Sequence, residues 1–191
     1  MTTTLSPLGV TVLALLVERD MHAYEMYQLM LERKEDKVVK VSPGSVYRAV
    51  ERFAADGLID EVVVERQGNR PERTVYAITE TGREALRATI TAMLRRHVNE
   101  FPEFPVAIGE AHNLPSGEVV ELLGERLDSI REVLAAIDGS LERIAERELP
   151  TAYVLDLHYS RALLAAEANW LEQTIDDLGS GALAWPSKHR H

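Results

Sequence analysis

Ser42-Pro-Gly-Ser-Val-Tyr-Arg-Ala-Val-Glu-Arg-Phe-Ala-Ala-Asp-Gly-Leu-Ile59 decides how this chain is read. Ser42 is a residue type that caps helix N-termini. Pro43 falls at the first helical position, where its missing N–H removes no helical bond, and Gly57 supplies the stop. The stretch predicts one short amphipathic helix leading into a strand. On a wheel of about 100° per residue with Val46 at zero, Val50 and Phe53 fall within about 40° of it, whereas Ser45, Arg48 and Arg52 lie between about 200° and 260°. One face is core and the other carries two guanidinium groups and a hydroxyl. Tyr47 stands at the boundary, and Glu51 is placed to pair with either neighbouring charge.

Downstream, Leu58–Arg66 turns strand-like around Val62, Val63 and Val64. Gln67-Gly-Asn-Arg-Pro-Glu72 then punctuates the chain, and Arg73–Ile78 is the returning strand. Arg66, Arg70 and Arg73 bracket this hairpin, partly offset by Glu65 and Glu72. Upstream, Ser6 and Pro7 start an apolar helix over Leu8–Arg19, broken at Asp20-Met21. A second helix follows over His22–Lys34, its buried stripe either Tyr24, Tyr27, Leu31 or Met26, Met30, and Lys34–Lys40 reads as a charged loop. Thr79 or Thr81 caps a helix running to about Asn99, with Leu86, Ile90, Met93 and Leu94 at helical spacing. A helix backed by a two-stranded wing is a shape that enters a DNA groove. Arginine grips phosphate or reads guanine O6 and N7. Ser45 and the unpaired N–H groups of the first turn suit a phosphate.

The second half is helical. Phe101–Pro115 is irregular at its ends, with a short helix expected over Phe104–His112. From Ser116, Leu123, Leu127, Ile130, Leu134, Ile137, Leu141 and Ile144 repeat at alternating steps of four and three, a heptad seam that must be covered. Pro150 breaks it. A last helix over Thr151–Leu178 carries Leu157, Leu164, Leu171 and Leu178. The seam can pack on that helix or on a second subunit. The expected domains are 1–85, a DNA-binding domain, and 86–180, a helical dimerisation and effector domain, with 181–191 a loose tail. Trp170, with Tyr159 and His158 nearby, is the candidate effector site.

Composition bounds the function. The 191 residues include no cysteine, which excludes disulfides and thiolate metal sites. Without an 18-residue apolar run or a basic leader before the first apolar stretch, the chain reads as cytoplasmic, with no membrane partner. The six histidines, at 22, 97, 112, 158, 189 and 191, contain no i,i+4 pair, so neither metal nor cofactor is expected. No phosphate-cradling glycine loop or nucleophile–base set is present, which argues against an enzyme. The net charge of -10 argues against DNA at first sight. Residues 1–90, however, hold 12 Lys/Arg against 14 Asp/Glu, whereas 91–191 hold 9 against 17. Most of the excess acid lies away from the candidate helix, and DNA contact needs only a local basic surface.

The order Leu8-Gly-Val-Thr-Val-Leu-Ala-Leu-Leu16, His22-Ala-Tyr-Glu-Met26, Ser42-Pro-Gly-Ser-Val-Tyr-Arg-Ala-Val50, Gly57-Leu-Ile59 and Tyr76-Ala-Ile-Thr-Glu-Thr-Gly-Arg83 resembles the PadR family of transcriptional regulators over residues 5–90. Family members commonly carry Gly where this chain has Ala23, and a wing close to Gly-Arg-Pro-Arg where it has Gly68-Asn-Arg-Pro-Glu72. The resemblance implies a mainly α protein: a winged helix-turn-helix of three helices and a two-stranded wing over residues 1–80, joined to an all-helical dimerisation domain. Residues 43–56 would be the recognition helix. Tyr47, Arg48 and Arg52 would be DNA contacts, with Ser42, Pro43, Gly44 and Ser45 beside phosphates. Such proteins bind double-stranded operator DNA as homodimers and mostly repress, and some are released by small aromatic or lipophilic effectors. The alternative is a helical dimeric interaction or adaptor module whose winged helix lacks DNA affinity, a reading the acidic second half and Glu72 favour.

Overall fold

The computed structural model describes residues 4–65, 73–147 and 149–186, and the chain forms two compact units that meet between Asn99 and Glu100.

The first unit opens with α1 (Pro7–Glu18), whose start is fixed by Ser6 accepting a bond from the Gly9 N–H. A two-residue strand, β1 (Met21–His22), follows where the sequence shows only a break, and leads into α2 (Ala23–Glu32). A single 3-10 turn at Glu35–Lys37 joins α2 to α3 (Pro43–Ala55). β2 (Ile59–Glu65) and β3 (Arg73–Ile78) make the hairpin, and α4 (Glu80–Arg95) closes the unit. The sheet order is β1-β3-β2, antiparallel throughout. β1 is too short to show a period of two, so only its pairing with β3 reveals it. A bulge between Glu61 and Val63 leaves Val62 outside the ladder and half-exposed, a device that bends and twists a hairpin.

The core explains which stripes are buried. On α2 it is Met26 and Met30 that are covered, while Tyr24 and Leu31 face outward. Flexible thioethers fill the irregular gap under α1 and α3. Val46, Val50 and Phe53 of α3 are wholly buried, as the wheel predicts. A Cβ at Gly9 would stand 2.9 Å from the Phe53 ring, so glycine lets α1 pass close over α3. Gly57, at φ +68, supplies the left-handed step that turns α3 into β2.

Thr79 is the observed cap of α4. Its hydroxyl accepts from the Gly82 N–H and donates to the Gly57 carbonyl, and its own N–H donates to Leu58. Gly82 lies so close to the Leu58 carbonyl that a Cβ would collide with it. α4 then packs on α1 through Ala85, Leu86 and Thr89, and the Thr89 hydroxyl accepts the Leu5 N–H. That packing keeps all of α4 in the first unit. The helix ends at Arg95 rather than near Asn99, and Leu94 is exposed.

The second unit holds α5 (Glu103–Gly109), a 3-10 turn at Ala111–Asn113, α6 (Ser116–Ala145), a further 3-10 turn at Thr151–Val154 and α7 (Leu155–Ser180). The ion pairs Arg126–Glu167 and Asp138–Arg161 fix α6 and α7 antiparallel. Leu123, Leu127 and Ile130 of the seam are buried with Ala168, Leu171 and Leu178 of α7. The seam is thus used within the chain, and its far end, from Leu134 to Ile144, is only half-buried. The stretch expected to be loose beyond residue 180 folds back over its first six residues. Gly181 caps α7 in the left-handed region, Leu183 donates to the Asp177 carbonyl, and the Trp185 indole donates to the Leu114 carbonyl at 2.9 Å. Trp185 joins the α6–α7 core, which a polar-looking tail sequence does not announce.

Candidate nucleic-acid interface

The sequence of α3 sets its own N-terminus. Ser42 accepts the Ser45 N–H and Ser45 accepts the Ser42 N–H, a capping box closed by two serines. The Ser45 hydroxyl also donates to the Ser42 carbonyl, at 2.8 Å. Both hydroxyls are therefore occupied in holding the helix end. Pro43 has no N–H, and the Ser45 N–H is capped. Gly44 is left as the first-turn donor without a partner among the described residues.

Arg48 lies one turn on and reaches back toward that end. A Cβ on Gly44 would stand 3.3 Å from the Arg48 guanidinium. The missing side chain thus lets a cation and an open amide sit together at the positive end of the helix dipole. Arg52 is exposed, its guanidinium 5.3 Å from the Phe53 ring centre, and Tyr47 is half-exposed beside them.

Among the described residues no carboxylate holds Arg48 or Arg52. Arg19, Arg33, Arg126, Arg131 and Arg161 each close an ion pair with a carboxylate at 2.7 Å or less. Neither Arg48 nor Arg52 has an ion pair among the described residues, and Glu51 takes neither of them. Their charge is available to a partner. Arg66 and Arg70 lie outside the described residues. Arg73 opens β3 opposite Glu65, and its side chain too lies outside them.

The candidate effector residues are not brought together. Tyr159 and Trp170 share one sector of α7, but eleven residues separate them, about 16 Å along the axis, and His158 lies roughly 100° round the helix from Tyr159. Trp170 instead stands edge-on to Phe104, with ring centres 6.2 Å apart. Arg126 covers the Phe104 face at 3.7 Å while its guanidinium pairs with Glu167. Phe104 and Arg126 are 66 and 44 residues from Trp170 along the chain, so no local pattern could have linked them.

Three helices, the third with two uncompensated arginines on its outward face, and an antiparallel hairpin make a winged helix-turn-helix fold. Residues 12–88 match the sequence model of the Transcriptional regulator PadR-like family. Over that segment, less than half of its length, the chain is similar to this family of transcriptional regulators. Solved structures share its fold. Bacillus subtilis PadR in complex with operator DNA is 19% identical with a TM-score of 0.76, covering 92% of this chain and 99% of that one. The same protein in complex with p-coumaric acid gives 18% and 0.75, covering 90% and 98%. The Vibrio cholerae virulence activator AphA gives 20% and 0.68, covering 91% and 99%. No curated protein matches the chain by sequence. Among the described residues no helix is long and apolar enough to cross a membrane.

Proposed function

We propose that this regulator is a homodimeric repressor that reads operator DNA with α3, through Tyr47, Arg48 and Arg52. Phosphates are held at Gly44 and by Arg66, Arg70 and Arg73 of the wing. The observation that carries the reading is the pair of exposed arginines left without carboxylate partners on a helix whose other face is wholly buried. Ser42 and Ser45 act by building the helix end, not by touching DNA.

Dimerisation is supported by α7. Its core face is spent on α6, yet Leu155, Tyr159, Leu163 and Trp170 form a second apolar sector within about 80° of one another, and all four are exposed. Two copies joined there present two α3 helices, and half-sites on B-DNA require them about 34 Å apart. A small planar aromatic stacking on Trp170 is the effector this surface suits, and p-coumaric acid, which Bacillus subtilis PadR binds, is the first compound to try.

The test is a mobility shift with the duplex upstream of the protein's own gene. Arg48→Ala with Arg52→Ala abolishes the specific shift and leaves the dimer intact by light scattering. Arg70→Ala weakens binding to every sequence alike and lowers the salt slope of the dimer by about 2. Specific binding that survives the α3 double substitution refutes the choice of face. Tryptophan fluorescence of a Trp185→Phe protein and DNA affinity both unchanged across a panel of aromatic acids refute the effector.

A further inference from the structure

The chain uses arginine seventeen times and lysine four times, and three of the four lysines, Lys34, Lys37 and Lys40, fall within seven residues directly before α3. The chemistry of the two cations differs. Arginine suits carboxylates, and five arginines of this chain pair with one. Lysine is a compact, hydrated point charge that suits phosphate without demanding a fixed geometry.

The turn that carries the lysines is well built. Lys34 takes the left-handed conformation at φ 60, Lys37 donates its N–H to the Lys34 carbonyl, and Val38 and Val39 both donate to Glu35. Val41 then packs against the core, which anchors the chain between Lys40 and the Ser42 cap. All three lysines are exposed. Lys37 has only a loose pairing with Asp36, at 4.0 Å, and neither Lys34 nor Lys40 has an ion pair among the described residues. Lys40 lies two residues from the Ser42 cap, within about 7 Å of backbone. From Lys34 to Arg52 the chain carries five cations against Glu35, Asp36 and Glu51, inside a first half with a net charge of -2.

We propose that the lysine turn is a second phosphate-binding element, placing Lys37 and Lys40 on the DNA backbone that flanks the groove α3 enters. This rests on the DNA-binding reading above and adds to it a sequence-independent anchor. It adds to the phosphate affinity of the helix end and the wing in an otherwise acidic chain, and it leaves base reading to α3.

The experiment uses the full chain and a random-sequence duplex of about 30 base pairs, long enough for two half-sites, followed by fluorescence anisotropy from 50 to 200 mM salt. Each phosphate no longer neutralised takes about 0.9 from the slope of log K against log salt. Lys37→Ala with Lys40→Ala removes four such contacts from a dimer on two half-sites and therefore lowers the slope by about 3.6, roughly a 4000-fold loss of affinity at 0.1 M salt. Lys37→Arg with Lys40→Arg restores it, because charge and not geometry is what acts. Both pairs melt like the wild type, since the side chains are exposed. An unchanged slope in the alanine pair, while the Arg48 and Arg52 substitutions still abolish the specific shift, overturns the anchor alone. A wild-type chain that binds neither the random nor the upstream duplex overturns the anchor and the DNA-binding reading together.

Discussion

Ser42 offers the sharpest separation of folding from function. Its hydroxyl is taken up by the Ser45 N–H at 3.2 Å and the Ser45 hydroxyl at 3.0 Å. Ser42→Ala removes that cap and costs about 1 kcal/mol, which lowers Tm by roughly 4–8 °C in a unit of this size. DNA affinity of the folded protein stays near wild type, because the Gly44 amide and Arg48 remain. Ser42→Asp behaves in the opposite way. Aspartate caps as well as serine, and its charge gains a few tenths to about 1 kcal/mol from the helix dipole, so Tm holds or rises. That same carboxylate stands about 6 Å from a phosphate seated on the helix end, a repulsion of about 1–3 kcal/mol between the limits of water and protein surface. DNA affinity then falls about 5- to 100-fold, most steeply at low salt. Differential scanning fluorimetry and anisotropy on the same samples read both quantities. A Ser42→Asp protein that melts at or above the wild type and binds DNA with unchanged affinity refutes the placement of this helix end against the backbone.

Three further outcomes follow from the packing. Gly82→Ala forces a methyl into the Leu58 carbonyl and should cost well over 1 kcal/mol despite alanine's better helix propensity; a melting temperature equal to or above wild type would contradict it. Trp185→Ala removes an indole packed on the α6–α7 core together with its bond to Leu114, and chemical denaturation should show a loss of about 1–2 kcal/mol, against none for a loose tail. Glu18 is held below the usual carboxylate range by the bidentate hydrogen bonds from Arg33. A lowered folded pKa gives stability that is present above the unfolded value and lost as pH falls through the folded one. The Tm gap between wild type and Glu18→Gln, small because a pair this exposed contributes under about 1 kcal/mol, should therefore be fully open at neutral pH and close as the pH falls below the usual carboxylate range; a gap that widens in acid would reverse the assignment.

The elements that were legible in the sequence are those whose signals are local. Ser42, Pro43 and Gly57 fix the ends of α3 within a few residues of one another, and Val46, Val50 and Phe53 fix its buried face by spacing alone. The candidate DNA contacts on α3 were legible for the same reason, being the residues left on the other side of one helix. What escaped was decided across distance. The choice of Met26 and Met30 over Tyr24 and Leu31 depends on what lies above α2. β1 exists only because β3 pairs with it. Phe104, Arg126 and Trp170 meet only when α5, α6 and α7 assemble.

By itself, then, the sequence determined where α3 begins and ends, which of its faces is core and which family residues 12–88 resemble, because capping, helical period and glycine conformation act over three or four residues. Tertiary structure decided which charges are spent. It closed Arg19, Arg33, Arg126, Arg131 and Arg161 onto carboxylates and left Arg48 and Arg52 open, and it used the leucine seam of α6 inside the chain while leaving a second face of α7 bare. An ion pair is made between side chains up to 41 residues apart, and no one-dimensional pattern reports which partner a charge will meet.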